Sequence, residues 1–302
     1  MFKSVLSKAS RVNANLVIYR RIRVKSALSR SSLPDLDYAL NPYIGCFHAC
    51  SYCYARGYVG RYVDAGRSWG EVVYIKENLV DVLKVEAKRF RAGVVGVSTI
   101  TDPYQPIEAE LGIVREAIKV LLNSGFSVSI QTKSDLVLRD IDILKRFIGR
   151  VDVGFTITSL NDDLIRHVEP RAPLPSLRVK ALRRLSNEGI ETWIFYGPVI
   201  PYINDSDENI NDILELARET GSKVLIDKLH VRPWIINSLK STLSQVISAD
   251  LTSKVLNKDF INSWWSSFKN KVIKKCRDYG VKCYPQLAEP LASKYKSLSD
   301  YM

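Results

Sequence analysis

The sequence predicts an α/β protein. Its core is a partial open (β/α)6 TIM-type barrel over residues 38–230, preceded by a basic N-terminal segment (1–37) and followed by a helical C-terminal extension (231–302). Three observations carry this expectation. Short β-branched runs alternate with longer helical patterns from about residue 40, as βα units of a parallel sheet do. Gly125, Gly189 and Gly221 each fall between a helical pattern and the next strand, where a glycine takes the left-handed conformation that ends a helix. Six such units can be counted, fewer than the eight of a closed barrel. A doubly wound sheet is the competing architecture.

The elements follow in order. A first strand is expected near Leu40–Ile44, then a helix over Glu77–Arg89 and an apolar strand from Val94 to Thr99. A helix from about Glu108 to Leu122 leads to a strand over Phe126–Gln131, and a helix over Leu136–Phe147 to a strand over Val151–Ile157. Helices over Asn161–His167 and Ser176–Asn187 precede a strand over Gly189–Phe195. A helix over Glu208–Thr220 and a strand over Lys223–Ile226 close the series. Beyond Lys228 the pattern becomes amphipathic helix, with Trp234, Trp264, Trp265 and many lysines.

Composition narrows the class. Of 302 residues, 46% are hydrophobic and 25% charged, typical of a globular protein with a sizeable core. No apolar run approaches a membrane span. The net charge is +12, and residues 1–34 hold Lys3, Lys8, Arg11, Arg20, Arg21, Arg23, Lys25 and Arg30 with no acidic residue. Such a segment reads either as an arm that neutralises nucleic-acid phosphates or as a solvated basic tail. Val12–Val24 also has the β-branched residues of a strand and is expected to belong to the folded protein. Five cysteines, three of them clustered, read as a metal site in a reducing cytosol rather than a disulfide framework, so a cytoplasmic location is expected.

The cluster is Cys46, Cys50 and Cys53, spaced C-x3-C-x2-C. Thiolates are soft ligands for iron–sulfur clusters and zinc. An electron-transfer 4Fe–4S cubane takes four cysteines; three leave one iron with an open coordination position, where a metal site does reactions. Zinc with His48 as a fourth ligand is the rival, although His48 lies inside the tight turn and zinc sites favour two separated ligand pairs.

The stretch from Asn41 to Arg56 (Asn-Pro-Tyr-Ile-Gly-Cys-Phe-His-Ala-Cys-Ser-Tyr-Cys-Tyr-Ala-Arg) resembles the cluster loop of the radical S-adenosylmethionine (SAM) family related to spore photoproduct lyase. Three segments are similar in the same order: Ser98–Pro106, Gln131–Ser134, and Phe155–Ser159 with Glu169-Pro170 after it. The resemblance implies that Cys46, Cys50 and Cys53 ligate a 4Fe–4S cluster whose open iron chelates SAM. It implies SAM contacts from Thr101, Lys133 and Thr156 or Ser159, with Lys133 on the SAM carboxylate. Tyr52 reads either as a shield of the cluster flanking adenine or as a packing aromatic. The activity implied is reductive cleavage of SAM to a 5′-deoxyadenosyl radical, with an external ferredoxin- or flavodoxin-like reductant. Nucleic acid is favoured as substrate over a modified protein or metabolite. A non-catalytic iron–sulfur or zinc nucleic-acid-binding protein is the alternative.

Other residues carry weaker expectations. Asp102, Tyr104 and Gln105, between Pro103 and Pro106, read as a rigid turn or as ligand contacts. Glu169 and Arg171 read either as contacts to polar groups of SAM or substrate or, the favoured reading, as a surface ion pair, and His230 as a satisfied structural histidine. Cys276 and Cys283 are expected to be buried, inert thiols. One departure matters: the lyase's hydrogen-donating cysteine corresponds to Thr99, whose O–H bond is too strong for that role.

Overall fold

Strand order decides between the two architectures. The computed structural model describes residues 17–285. Along the chain its strands are β1 (Ile18–Ile22), β2 (Leu28–Arg30), β3 (Tyr38–Leu40), β4 (Tyr43–Ile44), β5 (Val72–Lys76), β6 (Val94–Val97), β7 (Ser127–Thr132), β8 (Val151–Thr156), β9 (Glu191–Val199), β10 (Lys223–Lys228) and β11 (Cys283–Pro285). The main sheet has eight strands in the order β11-β10-β9-β8-β7-β6-β3-β2. From β3 to β10 the neighbours are parallel and follow chain order. A doubly wound sheet reverses its order at a switch point; this one does not. The six expected strands are therefore present in a singly wound parallel sheet.

Burial explains why these segments pair. In β7 the buried residues Val128, Ile130 and Thr132 alternate with half-buried ones, and β10 alternates likewise at Val224, Ile226 and Lys228. Against the sheet lie Val114, Ala117, Ile118, Leu121 and Leu122 of the helix Ile113–Asn123 and Leu182 and Leu185 of the helix Pro175–Asn187. Each such aliphatic side chain contributes about 1.5–3 kcal/mol when removed from water.

Several expected elements are divided or joined differently. The strand expected at Leu40–Ile44 is broken at Asn41-Pro42, because proline has no N–H to give a ladder. Tyr38–Leu40 stays in the main sheet, and Tyr43–Ile44 turns to pair antiparallel with β5 in a second sheet, order β1-β5-β4. The helix expected from Glu108 to Leu122 is split by Gly112, whose φ of +62° ends the segment Glu108–Leu111. The buried Glu108 carboxylate then accepts from the Val114 N–H at 3.0 Å and so caps the helix that follows. Leu136–Phe147 forms two 3-10 turns around one α turn, not a continuous helix. Asp140 is wholly buried there, ion-paired with Arg115 and Arg139 and bonded by the Tyr104 hydroxyl.

The N-terminal segment is woven into the fold from Ile18 onward. β1 pairs parallel with β5, and β2 pairs antiparallel with β3, so position 37 falls between two paired strands. Arg20 pairs with Asp64 and bonds Tyr74, Arg23 approaches Glu77 at 3.7 Å, and Arg30 lies over the Tyr38 ring. These three charges serve local contacts and are not free for a distant phosphate. Lys3, Lys8 and Arg11 lie outside the described residues.

The C-terminal extension holds the helices Ile236–Leu243, Ala249–Val255 and Lys258–Tyr279, and it adds β11 as an unexpected parallel edge strand beside β10. Cys276 and Cys283 are not free thiols; they form a disulfide that ties the last helix to β11. Among the described residues no helix is long and apolar enough to cross a membrane. A bridge over so short a segment is worth about 2 kcal/mol of chain entropy. Cys283→Ser is therefore expected to lower the melting temperature by a few degrees, and dithiothreitol to lower the wild type equally and the variant not at all.

Candidate active site

The cysteine loop follows β4 and lies over the carboxyl ends of the parallel strands. It can do so because Gly45 turns there with φ +86°; a Cβ at that position would stand 2.5 Å from the Val72 carbonyl oxygen of β5. The loop makes little regular structure of its own, and neighbours hold it from three sides. From the segment after β6, the Thr101 hydroxyl donates to the Gly45 carbonyl at 2.7 Å. Gln105 donates to Thr101 Oγ1 and accepts from the Phe47 N–H at 2.6 Å. From the C-terminal extension, the Ser238 hydroxyl donates to the Ser51 carbonyl and the Trp234 indole N–H to the Tyr54 carbonyl at 3.0 Å.

The third support is buried and charged. Tyr52 donates its hydroxyl to Glu169, which is ion-paired with Arg178. Both charged side chains have 0% exposure. Arg178 spends its other donors on the carbonyls of Thr156, at the end of β8, and Pro173. Burial by itself pushes the Glu169 carboxyl up, but Arg178 and Lys133 more than reverse this and hold it below the usual range. Glu169 is thus not in a surface pair with Arg171, which donates to the Gly70 carbonyl and lies over the Phe47 ring.

These supports enclose one cavity of about 930 Å3, open to solvent on one side. The carboxyl ends of β6 to β10 each contribute wall residues, as parallel sheets place their reactive groups. Cys46, Cys50, Cys53, Tyr52, Thr101, Lys133 and Thr156 all line it. Ser159 does not; its hydroxyl accepts from the Asn161 N–H just before the helix Asp162–Val168. Lys133 stands at the end of β7 with its ammonium 5.8 Å from the Tyr52 ring centre. Burial by itself would favour the neutral amine, yet Cys50 and Glu169 raise its pKa and keep it cationic. Thr156 Oγ1 accepts from Gln131 at 3.3 Å.

Thr99 also lines the cavity, with Oγ1 accepting from Asn41 and its N–H donating to Asn41. Asp102 closes the expected turn and also lines the cavity. It bonds the Tyr104 N–H of its own turn, takes the Thr132 hydroxyl and the Lys133 N–H of β7, and faces the cavity. Burial opposes its charge, but the facing His48 and these donors outweigh burial and lower its pKa to about 2.

The donor set fits an iron–sulfur cluster. All three thiols are free. Burial raises each of them, Cys50 to about 12, and Cys46 is raised further by Asp102 and the other two cysteines. Three thiolates so close need a compensating cation, and metal loading supplies it while releasing their protons. The Trp69 Nε1, the Ser98 Oγ and the His48 Nε2 are buried without hydrogen-bond partners, while His48 Nδ1 faces Asp102 Oδ2 at 3.4 Å, and all belong to wall residues. A cubane gives each of three thiolates its own iron.

Several wall residues were not singled out as site residues by the sequence, among them Trp69, Asp227, Lys228 and His230. Trp69 and Ser98 carry no signal of their own. His230 is satisfied, as expected, its Nε2 lying 3.0 Å from Asp227, and both line the cavity. Asp227 sits near the end of β10 and His230 just beyond it.

The radical SAM superfamily model matches residues 40–218, more than half of the chain. The chain belongs to the radical SAM superfamily. Members of this superfamily use a 4Fe–4S cluster and SAM, and these are its cofactors. The Methanocaldococcus jannaschii protein MJ0683 is 36% identical over 192 residues, 64% of this chain and 71% of that one. Protein Rv2578c of Mycobacterium tuberculosis is 31% identical over 72% of this chain and 66% of its own length. ORF301 of Acidianus two-tailed virus is 28% identical over 76% of this chain and 82% of its own. Among solved structures, spore photoproduct lyase complexed with dinucleoside spore photoproduct superimposes with a TM-score of 0.67 at 14% identity, over 88% of this chain and 81% of that one. A radical SAM methyltransferase from Sphaerobacter thermophilus gives 0.51 at 20% identity, over 84% of this chain and 67% of that one. At such identities the likeness is one of fold.

Removing one partner of a buried ion pair strands the other. Glu169→Gln is expected to destabilise this radical SAM protein by about 3–5 kcal/mol, read by denaturant unfolding of the metal-free chain.

Proposed function

We propose that this protein is a radical SAM enzyme whose parallel sheet curls as a partial barrel around the cavity, with Cys46, Cys50 and Cys53 holding the 4Fe–4S cluster. The observation that carries the reading is the meeting of three free thiols and the Lys133 cation in one cavity rimmed by strand carboxyl ends. The cluster and SAM together supply, when bound, a one-electron reductive cleavage that generates a 5′-deoxyadenosyl radical.

The residues of the chain then bind, orient and exclude water. Lys133 pairs with the SAM carboxylate, an ionic hydrogen bond strengthened by the partly dry site. Thr156 offers a hydroxyl beside it. Tyr52, fixed by Glu169, forms a rigid wall between the loop and the extension. Thr101 has a structural duty already, since its hydroxyl holds Gly45; its remaining lone pair faces the ligand. A ferredoxin- or flavodoxin-like protein supplies the electron. The substrate is nucleic acid, on the basic balance of the chain. Thr99 stands where the lyase has its donor cysteine, and among the described residues the cavity holds no thiol beyond the three cluster ligands. The substrate radical is therefore quenched by another route than the lyase's.

Anaerobic reconstitution is expected to give the absorption and paramagnetic signals of a 4Fe–4S cluster, and 5′-deoxyadenosine with dithionite; absence of both sinks the reading. Alanine at any one of the three cysteines should remove both. Lys133→Ala should keep the cluster signal and weaken SAM binding about 10- to 100-fold, the value of one charge-assisted hydrogen bond; unchanged SAM affinity would remove Lys133 from the site.

A further inference from the structure

A second, smaller pocket opens where the carboxyl end of β10 meets the start of the helix Lys258–Tyr279. Lys228, Leu229 and His230 line both this pocket and the main cavity, so the two are contiguous. The remaining wall is Val231, Arg232, Lys258, Ile261 and Asn262. We propose that this pocket binds a phosphate group of the substrate beside the radical cavity, an assignment that rests on the radical SAM reading of that cavity.

The charge is one-sided. Lys228, Arg232 and Lys258 converge with His230, and no Asp or Glu belongs to the wall among the described residues. Of the two carboxylates that adjoin wall residues in the chain, Asp227 is engaged by His230 Nε2 and the Lys228 N–H, and Asp259 follows Lys258. Lys228 is only 9% exposed, and its ammonium donates to the neutral amide oxygen of Asn262 at 2.8 Å. An ammonium has three donors, and a cation this buried gains from an anion in reach. Arg232 and Lys258 have no ion-pair or side-chain hydrogen-bond partner among the described residues. Of the other lysines in the extension, Lys254 pairs with Asp250, and Lys271 and Lys275 with Asp207.

The charge comes from side chains and not from the helix end, because Asn257 already caps the N–H groups of Asp259 and Phe260. The pocket is small and open to solvent, so a phosphate group can enter it while the rest of the ligand stays outside. A phosphate presents charge and acceptors in three directions and so suits three separated cations, one of them a guanidinium fork. A single carboxylate suits one. The SAM carboxylate is served by Lys133 on β7, away from β10.

The phosphate can come from a nucleotide or from the backbone of a single strand, and binding separates the two. The reconstituted full-length protein is titrated with adenosine monophosphate by calorimetry and with a fluorescein-labelled ten-nucleotide single strand by anisotropy. The wild type is compared with Arg232→Ala/Lys258→Ala and with Arg232→Lys/Lys258→Arg. At least one probe is expected to lose tenfold or more in affinity in the alanine variant and less than tenfold in the variant that keeps both charges. If that probe is the strand, the slope of its affinity against salt should fall by about 1.4, two phosphate contacts at roughly 0.7 each. Loss for the nucleotide alone marks a small phosphorylated substrate. The proposal is overturned if the wild type binds neither probe, if both lose less than tenfold in the alanine variant, or if the charge-keeping variant loses as much. The radical reading fails separately, when the wild type forms no 5′-deoxyadenosine with dithionite.

Discussion

The Arg178–Glu169 pair lies wholly inside the protein, where an unpaired charge costs several kcal/mol. Its hydrogen bonds are what make the burial tolerable, and they are also what join the site together. Through Arg178 the pair grips the carbonyl at the end of β8; through Glu169 it grips Tyr52, one residue before the last cysteine. Lys133 adds its cation to the same group and is kept charged by it. A sheet, a loop and a ligand-facing lysine thus share one electrostatic unit.

The cysteine loop needs this help because it pairs with nothing by itself. Thr101 and Gln105 hold its first half to the segment after β6, while Ser238 and Trp234 hold its second half to the C-terminal extension. Cys50 and Tyr52 pack in one apolar cluster with Ile235, Leu239, Leu243, Val255 and Ile261 of that extension. The extension is therefore part of the cluster's housing rather than an appendage. It also brings Lys258 and Asn262 to the end of β10, where the cavity acquires its basic annex.

Much of this was legible before any coordinates. Period-two apolar runs and three left-handed glycines located the six strands, because those patterns report local backbone geometry. The cysteine spacing is legible because thiolate chemistry is written in three close residues, whereas Lys133 follows from the family resemblance, with which its place past the β7 run is consistent. The failures share a cause. Glu169 looked like a surface charge because its partner, Arg178, is nine residues on along a helix whose burial no local pattern shows. Leu136–Phe147 looked like a helix because its apolar spacing is helical, and the demands of buried Asp140 broke it. Cys276 and Cys283 looked inert because nothing in the sequence announces that β11 returns to the sheet edge beside them.

The sequence by itself determined the parallel α/β framework, the soft three-thiolate donor set and the class of chemistry that follows from it. These rest on residue type and short spacing, which are written locally. Only the tertiary structure decided which groups share the cavity: that Ser159 turns away to Asn161, that Thr101 supports the loop, and that Asp227 and His230 line the same cavity as the cysteines. Those outcomes depend on where distant strand ends and the C-terminal helices come to rest. That placement is set by burial summed over the whole core, which no single stretch of the chain encodes.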